Sequence, residues 1–173
     1  MQPIIYDVAV SADGFIAGPY SDVSAFPHQG AIVDDYLARL ARYSTALMGR
    51  RTYEFGLKHG LALGANPYPA MRCIVVSSTL NLPGDNVEVW RDLAGLNRLR
   101  QEAPSPIYLC GGGVLASAIA RAGHLTQLTL KRAPVVLGAG TPLFAGLEQA
   151  HTLHLVTQKD YGEGSLLQSS RFS

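Results

Sequence analysis

The chain is poor in charge and has no basic or acidic excess. Only 16% of its 173 residues are Asp, Glu, Lys or Arg, and the formal net charge is +1. Electrostatic binding to DNA or RNA needs a basic face, so a nucleic-acid partner is not expected. The 47% hydrophobic content combined with so little net charge excludes an intrinsically disordered chain.

Targeting signals and long apolar runs are also missing. The N-terminus, MQPIIYDVAV, carries Asp7 inside its apolar run and has no basic n-region, unlike a signal peptide. The longest uncharged stretch, residues 103–120, contains two prolines and three consecutive glycines, which a membrane-spanning helix would not tolerate. The only cysteines, Cys73 and Cys110, form no CxxC pair, which favours buried thiols in a reducing compartment. We expect a cytoplasmic protein that does not bind membranes.

What the chain does contain is an alternation of β-rich apolar runs and amphipathic helical patterns. This alternation predicts one α/β domain over residues 1–173, with a mixed, mostly parallel central sheet flanked by helices on both faces. The last two strands have no helix between them and should form an antiparallel hairpin. The expected strands are residues 4–10, 45–48, 73–77, 87–90, 107–110, 126–132, 153–158 and 166–172, and the expected helices are 32–43, one beginning at Thr52, one around 93–100 and 114–122.

Two glycine turns, each placed between an expected strand and an expected helix, are candidate phosphate sites. The N–H groups and the dipole of a helix's first turn favour phosphate, and a nearby arginine adds charge-assisted hydrogen bonds. Neither turn matches GxGxxG or the P-loop pattern, and each alone could be an ordinary tight turn. Two of them in one small domain favour a dinucleotide. The turns are Gly49-Arg50-Arg51-Thr52 and Gly111-Gly112-Gly113-Val114.

Other polar side chains at the expected strand and helix ends have two interpretations each. Ser77 and Ser78 could hydrogen-bond a ribose or a 2′-phosphate, or could form an ordinary polar turn. Asp34 and Asp35, near the start of the first helix, could favour its N-terminus, or one could face a ligand and hold or protonate a nitrogen heterocycle. Adjacent helical positions do not share a face, so only one can point inward.

The chain contains no sequence motif for metal binding or for a catalytic nucleophile. The five histidines form no metal-ligand spacing, and the GxSxG nucleophile motif is missing. No metal site is expected.

Five short segments, in this order, resemble the dihydrofolate reductase-like superfamily, and most closely the reductase domain of bacterial riboflavin biosynthesis and its stand-alone relatives. They extend over nearly the whole chain, which makes chance agreement improbable although each is short. The segments are AVSADGFIA from Ala9, LMGRRTYE from Leu47, IVVSS from Ile74, YLCGGG from Tyr108 and PVVLGAGTPLF from Pro134.

The resemblance implies NADPH as cofactor and hydride transfer to a small molecule of the pteridine or aminopyrimidine class, as in 5-amino-6-(5-phosphoribosylamino)uracil reductase. It also implies a homodimer. Ala9 would line the nicotinamide site, while a loop over residues 11–17 would close over it. The cofactor-binding residues implied in the turns are Gly49, Arg50, Arg51, Thr52, Ser77, Ser78, Gly111, Gly112, Gly113, Val114 and Leu115.

At two places that bear on substrate binding, this chain differs from the family's usual residues. An acidic residue that many riboflavin-pathway members carry before the glycine turn is Cys110 here, and the family's Asp-Glu pair is replaced by Thr126-Gln127. A carboxylate from Asp34 or Asp35 is therefore only one way to recognise a substrate. The alternatives to a reductase are a non-catalytic nucleotide-binding relative acting as sensor or scaffold, and a structural domain whose glycine turns serve topology alone.

Overall fold

A computed structural model describes residues 1–173, which form ten strands and four helices. The strands are β1 (Ile4–Val10), β2 (Phe15–Ala17), β3 (Thr45–Gly49), β4 (Arg72–Val76), β5 (Glu88–Trp90), β6 (Ile107–Gly111), β7 (Leu125–Arg132), β8 (Thr141–Pro142), β9 (Leu153–Asp160) and β10 (Leu166–Phe172). The helices are α1 (Ala31–Leu40), α2 (Arg50–Lys58), α3 (Leu96–Glu102) and α4 (Gly113–Arg121).

Eight strands form the central sheet in the order β5-β4-β3-β6-β1-β7-β10-β9. The first six are parallel to one another, whereas β10 is antiparallel to both β7 and β9. The short strands β2 and β8 form a separate antiparallel pair. The expected mixed, mostly parallel sheet with a C-terminal antiparallel hairpin is confirmed.

Helices cover both faces of this sheet, and each face has its own apolar core. On one face, Leu96 and Leu99 of α3 and Ile119 of α4 pack on Tyr6 and Leu109. On the other, α1 and α2 pack on a cluster that includes Tyr43, Tyr53 and Tyr108. Both faces of β1 are therefore buried, as is usual for parallel strands, and its run IIYDVAV is correspondingly apolar except for Asp7.

One expected boundary is wrong in a way that concerns the site. Helix α2 begins at Arg50, so Thr52 lies in its first turn and does not cap it. Gly49 takes the N-cap position with extended backbone angles (φ −82°, ψ 163°), and no side chain caps the helix. No helix in the structure has both the length and the apolar character needed to cross a membrane.

Candidate functional site

The two glycine turns lie side by side at one edge of the sheet. Strands β3 and β6 are parallel neighbours, with Met48 opposite Gly111, so α2 and α4 both begin at the carboxyl ends of adjacent strands. A Cβ atom built on Gly49 would lie 3.8 Å from the Gly111 carbonyl oxygen and from the Gly112 nitrogen. Carboxyl ends of parallel strands are where α/β sheets bind ligands. The two turns can therefore contact a single ligand.

Both helix N-termini are free to bind an anion. Neither α2 nor α4 has a side-chain cap on its first-turn N–H groups, since the N-cap residues are Gly49 and Gly112. Cβ atoms on these two glycines would make ordinary van der Waals contacts at 3.8 Å, so neither turn is crowded at these positions. Gly111 has φ +126°, and its peptide bond to Gly112 is cis.

Gly113 has a different role in the same turn. A Cβ atom there would clash with the carbonyl oxygen of Pro142, because the turn packs directly against the segment that follows β7. Val114 is 67% exposed at the start of α4, whereas the side chain of Leu115 is buried in the core. Of these residues, Leu115 can offer a ligand only its backbone.

An arginine links the first turn to the serine segment after β4. The Arg50 guanidinium donates from Nε to Glu54 Oε1 (2.6 Å) and from Nη1 to Thr79 Oγ1 (3.0 Å). Arg51 is exposed, and Thr52 lies with its hydroxyl 3.8 Å from where Cβ atoms on Gly111 and Gly112 would be. Two cationic side chains thus lie beside the anion-accepting turn.

The two serines after β4 differ in their exposure to solvent. Ser77 is buried, and its Oγ accepts hydrogen bonds from the backbone N–H groups of Thr79 (3.3 Å) and Leu80 (3.0 Å). Ser78 is exposed. Ser77 therefore stabilises the turn, and Ser78 is the serine whose side chain is open to solvent.

A cavity of about 230 Å³ lies between α1 and the carboxyl ends of β1 and β7, at the same edge of the sheet as the two turns. Ala9 is in its wall, as the resemblance implies for the nicotinamide site. Most of the lining is apolar or aromatic, with the polar side chains His28, Lys131 and Arg132. The lining residues are Ala9, Pro27, His28, Ile32, Val33, Tyr36, Lys131, Arg132 and Ala133.

Beneath this cavity, the carboxylate of Asp7 is buried among cations. It accepts hydrogen bonds from Arg39 Nε (2.8 Å) and Nη2 (3.2 Å) and from the Tyr43 hydroxyl (3.2 Å). Lys131 Nζ lies 3.9 Å from Asp7 Oδ1 and 3.2 Å from the centroid of the Tyr36 ring. Burial lowers the pKa of Lys131 to about 8, since the attraction of Asp7 only partly offsets the desolvation of the ammonium.

The neighbouring hydroxyl and thiol groups are neutral. Tyr36 and Tyr108 share a hydrogen bond between their hydroxyls (2.8 Å), and burial raises the pKa of Tyr36 to about 12. Burial likewise raises the pKa of the Cys110 thiol far above its usual range, so this cysteine is not a nucleophile. Lys131 is therefore a group at this cavity whose charge changes near pH 8.

The rim of the site is tied together by Asp13. Its carboxylate accepts hydrogen bonds from the backbone N–H groups of Leu137 (3.0 Å) and Gly138 (2.7 Å) and from the Ser11 hydroxyl (2.6 Å). These bonds lower the pKa of Asp13 to about 2. The loop after β1 is thus held against the loop after β7.

Neither of the candidate acids lines the cavity. Asp34 is exposed on α1. Asp35 is turned toward the C-terminal hairpin, where Oδ2 accepts hydrogen bonds from Lys159 Nζ (2.6 Å) and the Tyr161 hydroxyl (2.5 Å). A catalytic role for one of them stays a prediction, and this geometry adds no support to it. No group of three or more possible metal ligands is present.

Sequence reasoning missed the polar residues under the cavity. Asp7 stood out only as a charge inside an apolar run, and Lys131 as an ordinary member of a strand. The available signal was the alternation in β7, where Thr129 and Lys131 share one face while Leu128 and Leu130 share the other.

Comparison with known proteins places the chain among relatives that extend over almost its full length. It is 28% identical to "Uncharacterized protein YyaP" of Bacillus subtilis over 93% of the chain and 90% of that protein. It is 29% identical to "Uncharacterized protein YwjB" of the same organism, over 94% and 93% respectively.

Solved structures with the same fold include two named reductases. The deaminase/5-amino-6-(5-phosphoribosylamino)uracil reductase of Thermotoga maritima superposes with a TM-score of 0.71 at 16% identity, over 99% of this chain and 57% of that one. The dihydrofolate reductase of Enterococcus faecalis, solved with NADP(H), has a TM-score of 0.67 at 15% identity, over 98% and 95%. A protein of Shewanella sp. PV-4 superposes with a TM-score of 0.81 at 20% identity, over 100% and 99%.

A family match accounts for most of the sequence. Residues 2–167 match the RibD C-terminal domain, so this family and the dihydrofolate reductase-like fold of its structural neighbours are shown together. The chain belongs to the RibD C-terminal domain family.

Proposed function

We propose that the protein is an NADPH-dependent reductase that transfers a hydride to a nitrogen heterocycle or a related small molecule. The observation that carries this proposal is the pair of uncapped helix N-termini that meet at Gly49 and Gly112, at the same edge of the sheet as a cavity walled by Ala9. The turns suit phosphates and the cavity suits a flat ring. A dinucleotide needs both features next to each other.

The proposed roles follow from position. The backbone at Gly49, Arg50, Gly111 and Gly112 would hold the phosphates, with Leu115 contributing only through its backbone. Arg51 and Ser78, both exposed, would recognise the adenosine ribose and its 2′-phosphate, where the planar guanidinium can form paired hydrogen bonds. Further contributors on the same turns are Thr52, Ser77, Gly113 and Val114, with Ala9 at the nicotinamide.

Bound NADPH would supply the hydride itself. The chain's own contribution is to align donor and acceptor and to exclude water. The apolar wall formed by Ile32, Val33 and Ala133 removes water from the acceptor ring. Asp13 keeps the loop after β1 in place against Leu137 and Gly138, which closes the rim of the site.

Gly49→Ala tests the cofactor site without disturbing the fold. The backbone angles of Gly49 suit alanine, and the new methyl group meets only ordinary contacts at 3.8 Å. It would, however, fill the space that a phosphate needs. We expect an unchanged melting temperature and at least roughly tenfold weaker NADPH binding by titration calorimetry, the equivalent of about 1.4 kcal/mol. Unchanged NADPH affinity would contradict the proposed site.

Arg51→Ala tests the choice of cofactor, with Arg98→Ala as a matched control on an exposed helix far from the turns. Losing a charge-assisted bond to the 2′-phosphate should weaken NADPH roughly tenfold and leave NADH almost unchanged. Equal losses for the two cofactors would show that Arg51 does not contact the phosphate. NADPH binding without turnover of any acceptor would favour the non-catalytic alternative.

We also propose a homodimer, formed at β9. This edge strand is exposed along all eight residues, and Leu155 and Val156 are 60% and 51% exposed. Unpaired strand edges readily pair with another chain. Sedimentation should show a dimer that Val156→Lys converts to a monomer. A wild-type monomer at high concentration would rule out this assembly.

A further inference from the structure

The charged side chains that line the cavity beside Ala9 are the cations Lys131 and Arg132, and no carboxylate lines it. His28 and Tyr36 also contribute to the lining. An amino-substituted ring donates hydrogen bonds and therefore needs acceptors, which aspartate or glutamate would provide. Lysine and arginine can only donate. The lining therefore favours a ligand that presents oxygen acceptors.

Lys131 has no hydrogen-bond partner of its own within the protein. Arg39 and Tyr43 already donate to Asp7, and Lys131 Nζ is 3.9 Å from that carboxylate, beyond hydrogen-bond distance. The Lys131 ammonium makes a cation–π contact with the Tyr36 ring. This contact uses none of its N–H groups in a conventional hydrogen bond. Two cations share one buried carboxylate, which leaves a positive charge and free donors at the cavity.

A purely structural role for Lys131 explains this arrangement less well. Burying an ammonium is costly unless it is paired and hydrogen-bonded, and Asp7 already has a bidentate partner in Arg39. An apolar side chain of similar length would cover Tyr36 at lower cost. An ammonium that keeps its N–H donors accessible at the wall of a cavity suits a binding group.

On the premise of the proposed reductase, we propose that Lys131 is the substrate-recognition residue of this cavity. Its ammonium donates hydrogen bonds to a carbonyl or anionic oxygen of the acceptor, and so selects oxygen-bearing, anionic heterocycles over amino-substituted ones. When a hydride adds to a carbon conjugated with that oxygen, the displaced electron pair moves onto the oxygen. Lys131 stabilises the resulting negative charge until a solvent proton completes the reduction.

Two pyrimidines of similar size test this assignment on the full chain without cofactor. Barbiturate presents carbonyl oxygens and is an anion at neutral pH, whereas 2,4-diaminopyrimidine presents amino donors. By calorimetry at pH 7 we expect barbiturate to bind at least tenfold more tightly. Lys131→Met should remove this preference by weakening barbiturate at least tenfold, while the diamine is unaffected.

Two further variants keep the test interpretable. Lys159→Met removes an exposed lysine whose partner is Asp35 and which does not line the cavity, so its barbiturate affinity should equal that of the wild type. Lys131→Gln retains a hydrogen-bond donor without the charge and should bind barbiturate with intermediate affinity. If Lys131→Met does not fold, Lys131→Gln takes its place in the binding test.

The pH dependence of barbiturate binding adds a second readout. The charged or titratable groups around Lys131 are Asp7, Tyr36 and Arg39. The cavity wall adds His28 and Arg132. On the neighbouring strand β10, the residue paired with Lys131 is the uncharged Leu167. Because Lys131 loses its proton at about pH 8, barbiturate affinity should fall from pH 7 to pH 9. Lys131→Met should show no such fall.

The proposal is overturned if neither pyrimidine binds, if the diamine binds more tightly, or if Lys131→Met leaves barbiturate affinity unchanged. NADPH titration separates this failure from failure of the reductase. Lys131-dependent barbiturate binding without NADPH binding would contradict the reductase and support the recognition site. NADPH binding together with barbiturate binding that does not depend on Lys131 would support the reductase and contradict the recognition site.

Discussion

Asp34 and Asp35 are adjacent on α1 but have different surroundings. Asp34 is exposed, while the hydrogen bonds from Lys159 and Tyr161 lower the pKa of Asp35 and keep it ionised. A group that must deliver a proton near neutral pH needs a raised pKa and contact with the ligand. Removing a real general acid costs about 100-fold or more. We expect Asp34→Asn and Asp35→Asn each to keep turnover of a reducible heterocycle within about twofold of wild type in steady-state kinetics.

A drop of 100-fold in either variant, with NADPH affinity unchanged, would instead support the proton role suggested by the position of these carboxylates on α1. The sequence indicated where these carboxylates lie along the helix. It could not indicate their partners, because Lys159 is 124 residues away in a hairpin whose position depends on the whole sheet. Lys131 was hidden for the same reason, since its partner Tyr36 belongs to a helix that packs over it from another part of the chain.

At the scale of elements, the loop after β1 depends on one side chain. Asp13 connects it to Leu137 and Gly138, and the low pKa of this carboxyl means that the stabilisation is present above about pH 4 and is lost as pH falls through about 2. Asp13→Asn should speed hydrogen exchange at the Leu137 and Gly138 amides at pH 7. Asp22→Asn, whose carboxylate bonds only to nearby Ser24, is the matched control and should not. Equal exchange in both variants would show that the loops are held by other contacts.

Elements with local signals were the ones that could be predicted. β1 and β10 were predicted with the observed bounds. The β-branched, apolar run of β1 ends at the turn residues after Val10, and β10 follows the turn around Gly162. The start of α2 was misplaced because Thr52 carries the usual capping side chain, whereas the structure uses the backbone of Gly49. A backbone cap leaves no side-chain signal in a sequence.

For the whole molecule, alternation of strands and helices was enough to predict the class of sheet but not the strand order. β6 lies between β3 and β1 although it follows both in the chain, and this insertion is what brings Gly111 beside Gly49. Strand order depends on which buried faces pack together across long separations. The presence of two such turns in one small domain, and not periodicity, suggested a shared dinucleotide before the structure placed the turns together.

The partly buried ammonium of Lys131 has a consequence for the free energy of unfolding. Lys131 binds its proton with a pKa of about 8 in the folded chain and 10.5 when unperturbed. Below pH 8 both states carry the proton, and the folded state bears the full cost of the buried charge, on the order of 3 kcal/mol. Between pH 8 and 10.5 the unfolded chain binds more protons, so wild-type stability rises relative to a variant without the lysine. Lys131→Met should therefore be more stable than wild type in urea at pH 7, and the difference should shrink toward pH 10.5. Parallel stability curves would mean that the ammonium is well solvated, whereas converging curves would identify Lys131 as a position where ligand recognition is maintained against thermodynamic stability.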